Sequence, residues 1–252
     1  MRVLINGITG HMGQIVLSLV QSGYSDSTFA AGVSPDVSVE TDCLFKSFAS
    51  FSGSADVVVD FSFHSGVAEL LDYCIPKNLP VVIATTGHTE EEKVLISEAS
   101  KTIPVFYSAN MSIGVAVLAD LAKKAASAFP DADIEIVETH HNRKVDVPSG
   151  TALLLANSIK EARPSTEFNI GRSENGKRTK EEIGIHSLRM GNYFGKHEIY
   201  ITTGSETLTL THEAHNRTLF AEGALKAASF ICGKQPGLYC MNDFISQEGG
   251  KN

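Results

Sequence analysis

The chain has 252 residues, of which 42% are hydrophobic and 20% charged, with a formal net charge of -8. That length suits one large domain or two small ones, and the apolar share can fill a real core. The acidic balance argues against a nucleic-acid partner, which calls for a basic face, and no apolar span of about 18 residues marks a membrane helix.

Taken in chain order, the first hundred residues alternate between short apolar β-rich runs and longer helical patterns. "RVLIN" (2–6) reads as a buried strand, "HMGQIVLSLVQSG" (11–23) as a helix, and "TFAAGV" (28–33) and "ADVVVDFS" (55–62) as further strands. "SGVAELLDYCI" (65–75) is helical, "LPVVIATTG" (79–87) a strand, and "TEEEKVLISEAS" (89–100) a helix. In this last helix Thr89 and Glu92 form a capping-box pattern. "IPVFYSAN" (103–110) closes the series. Strand–helix alternation of this kind implies an α/β, Rossmann-like, doubly wound parallel sheet with helices on both faces.

The pattern then changes. Residues 112–129 read as a long helix and 133–141 as a strand with one solvated face. A second helix starts after Pro148-Ser149-Gly150, and the polar stretch 171–184 reads as a loop. "GIHSLRMG", "KHEIYITTG" and "ETLTLTHEA" are expected to be three antiparallel strands, since short glycine-containing turns join them. A helix over 217–233 follows. The middle third is therefore expected to be an α+β insert. Cys43, Cys74, Cys232 and Cys240 form no CxxC pair and read as reduced thiols. No signal peptide precedes the opening run, so a cytoplasmic protein is expected.

Glycines at 7, 10 and 13 lie between the first strand and the first helix. Gly7 permits a tight turn, Gly10 a close approach to a pyrophosphate, and Gly13 close packing of helix on strand. The helix N-terminus adds free N–H groups and positive potential. This context points to a dinucleotide site. Where an acidic residue usually binds the ribose, Ser34 and Pro35 stand instead, with no adjacent arginine, so the residues leave NAD and NADP open. "ATTG" (84–87) and "SANMS" (108–112) end two strands on the side where open α/β sheets bind ligands.

The segment "ETHHNRKVDVPSGTALLLA" (138–156) carries two imidazoles, an ammonium and a helix start. Adjacent residues at a strand end point to opposite sides, so His140 and His141 do not readily share a metal, and no HExxH or nearby cysteine is present. Without a G-x-S-x-G elbow, Ser149 reads as a helix cap and not as a nucleophile. A histidine at a sheet end can exchange a proton near neutral pH. Lys144 precedes Pro148 in extended or turn backbone and is expected to aim into a loop-lined pocket. The helix start at Gly150 and Thr151 can bind a carboxylate. The cluster suits an anionic substrate that gains a proton as it is reduced.

These residues make the chain resemble the dihydrodipicolinate reductase (4-hydroxy-tetrahydrodipicolinate reductase) family of the bacterial lysine and diaminopimelate pathway. The resemblance runs through "GxxGxMG" at 7–13, "DFS" at 60–62, "ATTG", "SANMSIGV" at 108–115 and "IEIVETHHNRKVDVPSGTA" at 134–152. It continues in "RMGNYFGKHEI" at 189–199, "FAEGALKAA" at 220–228 and "GLYCMNDF" at 237–244. It implies hydride delivery from NADPH or NADH to a cyclic imine-type dicarboxylate. His140 would donate or accept a proton and Lys144 would donate one, while His141, Gly150 and Thr151 would bind the dicarboxylate. Gly7, Ile8, Thr9, Gly10, His11, Met12, Ser34, Ala84, Thr85, Thr86, Ser108, Ala109, Asn110 and Met111 would hold the cofactor. The resemblance further implies a homotetramer, a nucleotide domain of residues 1–111 and 217–252, and a substrate-binding and oligomerisation domain of 112–216. Two departures stand out. Ser34-Pro35 replace the family's acidic position. His64 replaces its proline after "DFS-x" and reads as incidental at a helix start. The competing readings are another NAD(P) oxidoreductase acting on an alcohol or aldehyde, and a non-catalytic NAD(P)-sensing regulator.

Overall fold

A computed structural model of the chain describes residues 1–248. It divides into two compact units, Met1–Ser112 with the chain from Thr218 onward, and Ile113–Arg217. The first unit starts with β1 (Arg2–Asn6), α1 (His11–Gln21), β2 (Thr28–Val33), β3 (Leu44–Phe45), β4 (Val57–Asp60) and α2 (Val67–Cys74). It continues with β5 (Val81–Ile83), α3 (Glu90–Ser100) and β6 (Pro104–Tyr107). The second unit holds α4 (Ile113–Ala128), β7 (Asp133–His140), α5 (Gly150–Ala162), β8 (Glu167–Ile170), β9 (Glu182–Arg189), β10 (Gly195–Thr202) and β11 (Thr207–Ala214). The chain then returns to the first unit as α6 (Thr218–Ile231), β12 (Gly237–Tyr239) and α7 (Met241–Glu248).

In the first unit seven parallel strands run in the order β12-β6-β5-β4-β1-β2-β3, a Rossmann-like α/β sheet. Side chains alternate between its two faces. Leu4, Val58, Val81, Ile83 and Val105 pack with Leu70 and Leu71 of α2 and Ile96 of α3. Val3, Ile5, Val57, Val59 and Phe106 are equally buried. On their side, α1 lies against β1 and β2, and α6 against β4, β5 and β6. Phe106 meets Phe230 of α6 at a ring separation of 6.2 Å. Burial on both faces explains why these strands read as unbroken apolar runs. Each fully buried Val, Leu or Phe contributes about 1.5–3 kcal/mol. The capping box holds: Thr89 Oγ1 accepts the Glu92 N–H and Glu92 accepts the Thr89 N–H. The strands β3, β8 and β12 went unread in the sequence because two to four residues are too few to show a period.

In the second unit the five strands run β11-β10-β7-β9-β8. Ile134, Ile136, Ile183, Ile185, Ile199 and Ile201 pack against Leu118 and Ala122 of α4 and Leu155 and Ile159 of α5. The expectation of three consecutive antiparallel strands is corrected here. β10 and β11 form an antiparallel hairpin, but β9 pairs in parallel with β7 and β8, and β10 lies on the far side of β7. The reason is the β9–β10 link. It crosses the C-terminal end of β7, where Met190 N–H donates to His140 O at 2.9 Å and His141 N–H to Tyr193 O at 2.8 Å. β9 also begins at Glu182, inside the stretch read as loop. Among the described residues no helix is long and apolar enough to cross a membrane.

Candidate active site

In the first unit the turn after β1 is built on two glycines. Gly7 has φ of +80°, a left-handed conformation that disfavours other residues, and a Cβ there would sit 2.4 Å from the Phe61 carbonyl oxygen. A Cβ on Gly13 would lie 2.2 Å from the Gly7 oxygen. The helix α1 starts at an extended, exposed Gly10 with no side-chain cap and no acidic residue in its first turn. Its first N–H groups are therefore left for an anion. A pyrophosphate fits this cradle: the backbone is close, bare and electropositive. Thr9 and Ser34 share a hydroxyl–hydroxyl hydrogen bond of 2.7 Å, so the position after β2 presents a neutral, buried hydroxyl where a carboxylate would favour a free ribose.

The adjoining strand ends carry the other predicted cofactor residues. Ala84 and Thr85 are buried and Thr86 is exposed. Thr85 Oγ1 accepts the Ser62 N–H at 2.9 Å. Ser108 Oγ donates to Asn110 O at 2.7 Å, Ala109 is exposed, and Met111 is buried. Beneath them lies Asp60, 2% exposed, which accepts hydrogen bonds from Asn6 Nδ2 at 2.8 Å and Ser62 Oγ at 2.6 Å. Burial pushes its carboxyl up, against the opposing pull of those donors. His64 is not incidental: its ring bonds Glu92 at 2.8 Å, tying the segment after β4 to the start of α3. A proline there could not make that bond.

The second unit carries the residues expected to handle protons. Period-two alternation puts Glu138 and His140 on one face of β7. Glu138 is fully buried, and His140 Nδ1 shares a hydrogen bond of 2.5 Å with its Oε2. Arg189 of β9 stands opposite His140 in the register and donates through both terminal nitrogens, at 2.9 and 2.8 Å. Ser149 N–H adds a bond of 3.1 Å to Oε1. Burial would raise the Glu138 carboxyl, but the hydrogen bonds from His140 and Arg189 outweigh it and hold the group well below the usual carboxylate range.

Around this pair stand the remaining residues of the segment. Ser149 Oγ caps α5 by accepting the Ala152 N–H at 3.2 Å and contacts His197 Nε2 at 3.2 Å. Gly150, exposed, and Thr151, half-buried, open the helix. His197 is buried edge-on to His140 at a ring separation of 5.2 Å; burial, then that neighbour, drives its imidazole down to about 3. Burial, and then Arg143 and His140, lower His141. Its Nδ1 is buried with no hydrogen-bond partner. Lys144 lies in the turn after β7, its ammonium 2.8 Å from Asp146. Among the described residues no cluster of three or more His, Cys, Asp or Glu is placed to hold a metal ion.

Sequence reading missed Glu138, Arg189 and His197. For Glu138 the signal was present: a carboxylate two residues before a histidine on a strand shares its face. Arg189 and His197 carried none, because cross-strand pairing alone brings them in.

A glycine turn opening an uncapped helix in one unit and an imidazole against a buried carboxylate in the other fit the class of nucleotide-dependent oxidoreductases. The comparisons narrow this class. The family model described as "Dihydrodipicolinate reductase, N-terminus" matches residues 1–111, and "Dihydrodipicolinate reductase, C-terminus" matches 114–245. The chain belongs to the dihydrodipicolinate reductase family. It is 44% identical over 248 residues to the 4-hydroxy-tetrahydrodipicolinate reductase of Clostridium tetani, covering 97% of each chain. To that of Caldanaerobacter subterraneus subsp. tengcongensis it is 42% identical, covering 98% of each. Among solved structures, the dipicolinate-bound dihydrodipicolinate reductase from Paenisporosarcina sp. TG-14 matches with a TM-score of 0.81 and 26% identity, over 97% of this chain and 99% of that one. Family and Rossmann-like unit together imply a pyridine nucleotide cofactor.

Proposed function

We propose that the protein reduces 4-hydroxy-tetrahydrodipicolinate to tetrahydrodipicolinate with NADPH or NADH, in lysine and diaminopimelate biosynthesis. The observation that carries this reading is the 138–151 segment. An imidazole on an ionised carboxylate and a helix start stand within one short stretch of one unit. The relatives' name and the dipicolinate in the solved neighbour support the substrate class.

Gly7, Ile8, Thr9, Gly10, His11 and Met12, with Ser34, Ala84, Thr85, Thr86, Ser108, Ala109, Asn110 and Met111, would hold the nicotinamide cofactor, which would supply a hydride when bound. The chain's own residues do the rest. The α5 N-terminus at Gly150 and Thr151 receives a substrate carboxylate, and His141 binds the same dianion. His140 exchanges a proton with the substrate. The 4-hydroxyl leaves as water together with a ring hydrogen, and once the hydride is taken up Lys144 releases Asp146 and donates the one proton that completes the reduced ring. On this reading residues 1–111 and 217–252 form the nucleotide domain, and 112–216 the substrate and assembly domain of a homotetramer. The cysteines are all free thiols, which suits the reducing cytoplasm. Ser34 offers neither a carboxylate against a 2′-phosphate nor a cation for it, so the residues leave the choice between NADH and NADPH open.

The test is a steady-state assay with enzymatically generated substrate, run with NADH and with NADPH. Turnover with at least one cofactor is expected, and His140→Gln is expected to lower kcat by about 10²–10⁴-fold, the usual worth of one general acid–base group. Nucleotide binding without turnover would overturn the reading in favour of a sensor. Full activity of His140→Gln would remove that residue from the chemistry.

A further inference from the structure

An imidazole can exchange a substrate proton through either ring nitrogen, and the nitrogen that is not used must be held elsewhere. We propose that Glu138 is the positioning residue that makes this choice: it holds the Nδ1–H of His140, so that Nε2 is the atom that exchanges the proton, and Gly195 keeps the space beside Nε2 open. The inference rests on the reading of His140 as the proton-handling group.

Three observations carry it. First, among the described residues the hydrogen-bond partners of the Glu138 carboxylate include the guanidinium of Arg189 and the backbone N–H of Ser149, which are donors only. Arg189 and the Ser149 N–H occupy both oxygens alongside the His140 contact. An ionised carboxylate only accepts hydrogen bonds, so the ring nitrogen against it must carry a hydrogen. In the neutral ring the lone pair then lies on Nε2. Second, the carboxylate is anchored from three elements, β7, β9 and the cap of α5, and is fully buried. The ring it holds cannot flip without breaking a charge-assisted bond in a site closed to water. Third, a Cβ added to Gly195 would stand 3.0 Å from His140 Nε2. The backbone of Gly195 does not lie in the left-handed region, so conformation places no demand for glycine there. What the missing side chain leaves is room next to Nε2, the ring nitrogen that Glu138 does not occupy.

Three measurements test this. Glu138→Gln should lower kcat by about 10- to 100-fold, the range known for the carboxylate partners of metal-bound histidines, with KM for the nucleotide within about twofold. The Glu138→Gln/His140→Gln double variant should be no slower than His140→Gln alone, because Glu138 acts only through His140. Multiplicative losses in the double variant, or an unchanged kcat in Glu138→Gln, would overturn the proposal. A His140→Gln protein with full kcat would sink the reading beneath it as well. Because Glu138→Gln leaves the Arg189 guanidinium facing a neutral amide and can fail to fold, the unaltered protein supplies an independent check. Long-range ¹H–¹⁵N correlations of ¹⁵N-histidine-labelled enzyme, at a pH where the ring is neutral, should show His140 protonated at Nδ1; protonation at Nε2 overturns the assignment. Gly195→Ala should keep that signature and lose at least about tenfold in kcat, and undiminished kcat would overturn the role given to Gly195.

Discussion

Replacing His197 by glutamine should flatten the acid side of the stability curve. His197 is 3% exposed, and burial, with His140 beside it, takes its imidazole from the usual 6.5 down to about 3. The sign follows from proton counting. Below pH 6.5 the unfolded chain binds a proton at this ring, and the folded protein does not until the pH approaches about 3. Stability is therefore full above the unfolded value and falls as the pH drops, by at most about 1.4 kcal/mol per pH unit. Between about pH 7 and pH 5 the His197 share is about 2 kcal/mol. Glutamine does not titrate, so the variant loses this share of the slope. Urea unfolding of both proteins across that range, compared at equal m-values, reads the difference directly. The constant offset from altered packing cancels, as do the slopes of His88, His141 and His212, which both proteins keep. Parallel curves for the two proteins would refute the reasoning.

Further expectations follow from the two binding features. Gly13→Ala places a methyl 2.2 Å from the Gly7 oxygen, so the turn must move; an overpacking cost of about 1–3 kcal/mol implies nucleotide affinity at least about fivefold weaker by fluorescence titration. Thr151→Val should raise KM for the dicarboxylate more than it lowers kcat, and an unchanged KM would count against the α5 start as the carboxylate site. Ser149→Ala removes the bond to Ala152 N–H and should cost about 0.5–2 kcal/mol in thermal or urea unfolding, the usual worth of an N-cap.

The sequence by itself determined the longer elements and the chemistry-bearing stretches. Apolar runs such as 2–6 and 79–83 must be covered on both faces, and β1 and β5 are. Thr89 with Glu92, and Ser149 before Ala152, mark helix starts through bonds that close within three residues, so local order is enough to read them. Gly7 and Gly13 are equally local, since the turn they form is contained in the stretch that spells it. What only the tertiary structure decided is whatever depends on strand order. The expected antiparallel trio failed because the β9–β10 link passes over the end of β7, and nothing in its residues states that it crosses a strand made fifty residues earlier. The same crossing brings Arg189 to Glu138 and His197 to His140, and it sets Gly195 beside Nε2. Likewise His64, unremarkable in line, gains its role from Glu92, 28 positions away. Period and cap are properties of a few consecutive residues, whereas the buried carboxylate of Glu138 draws Arg189 from another strand and Ser149 from a helix cap, and these become neighbours only when the sheet forms.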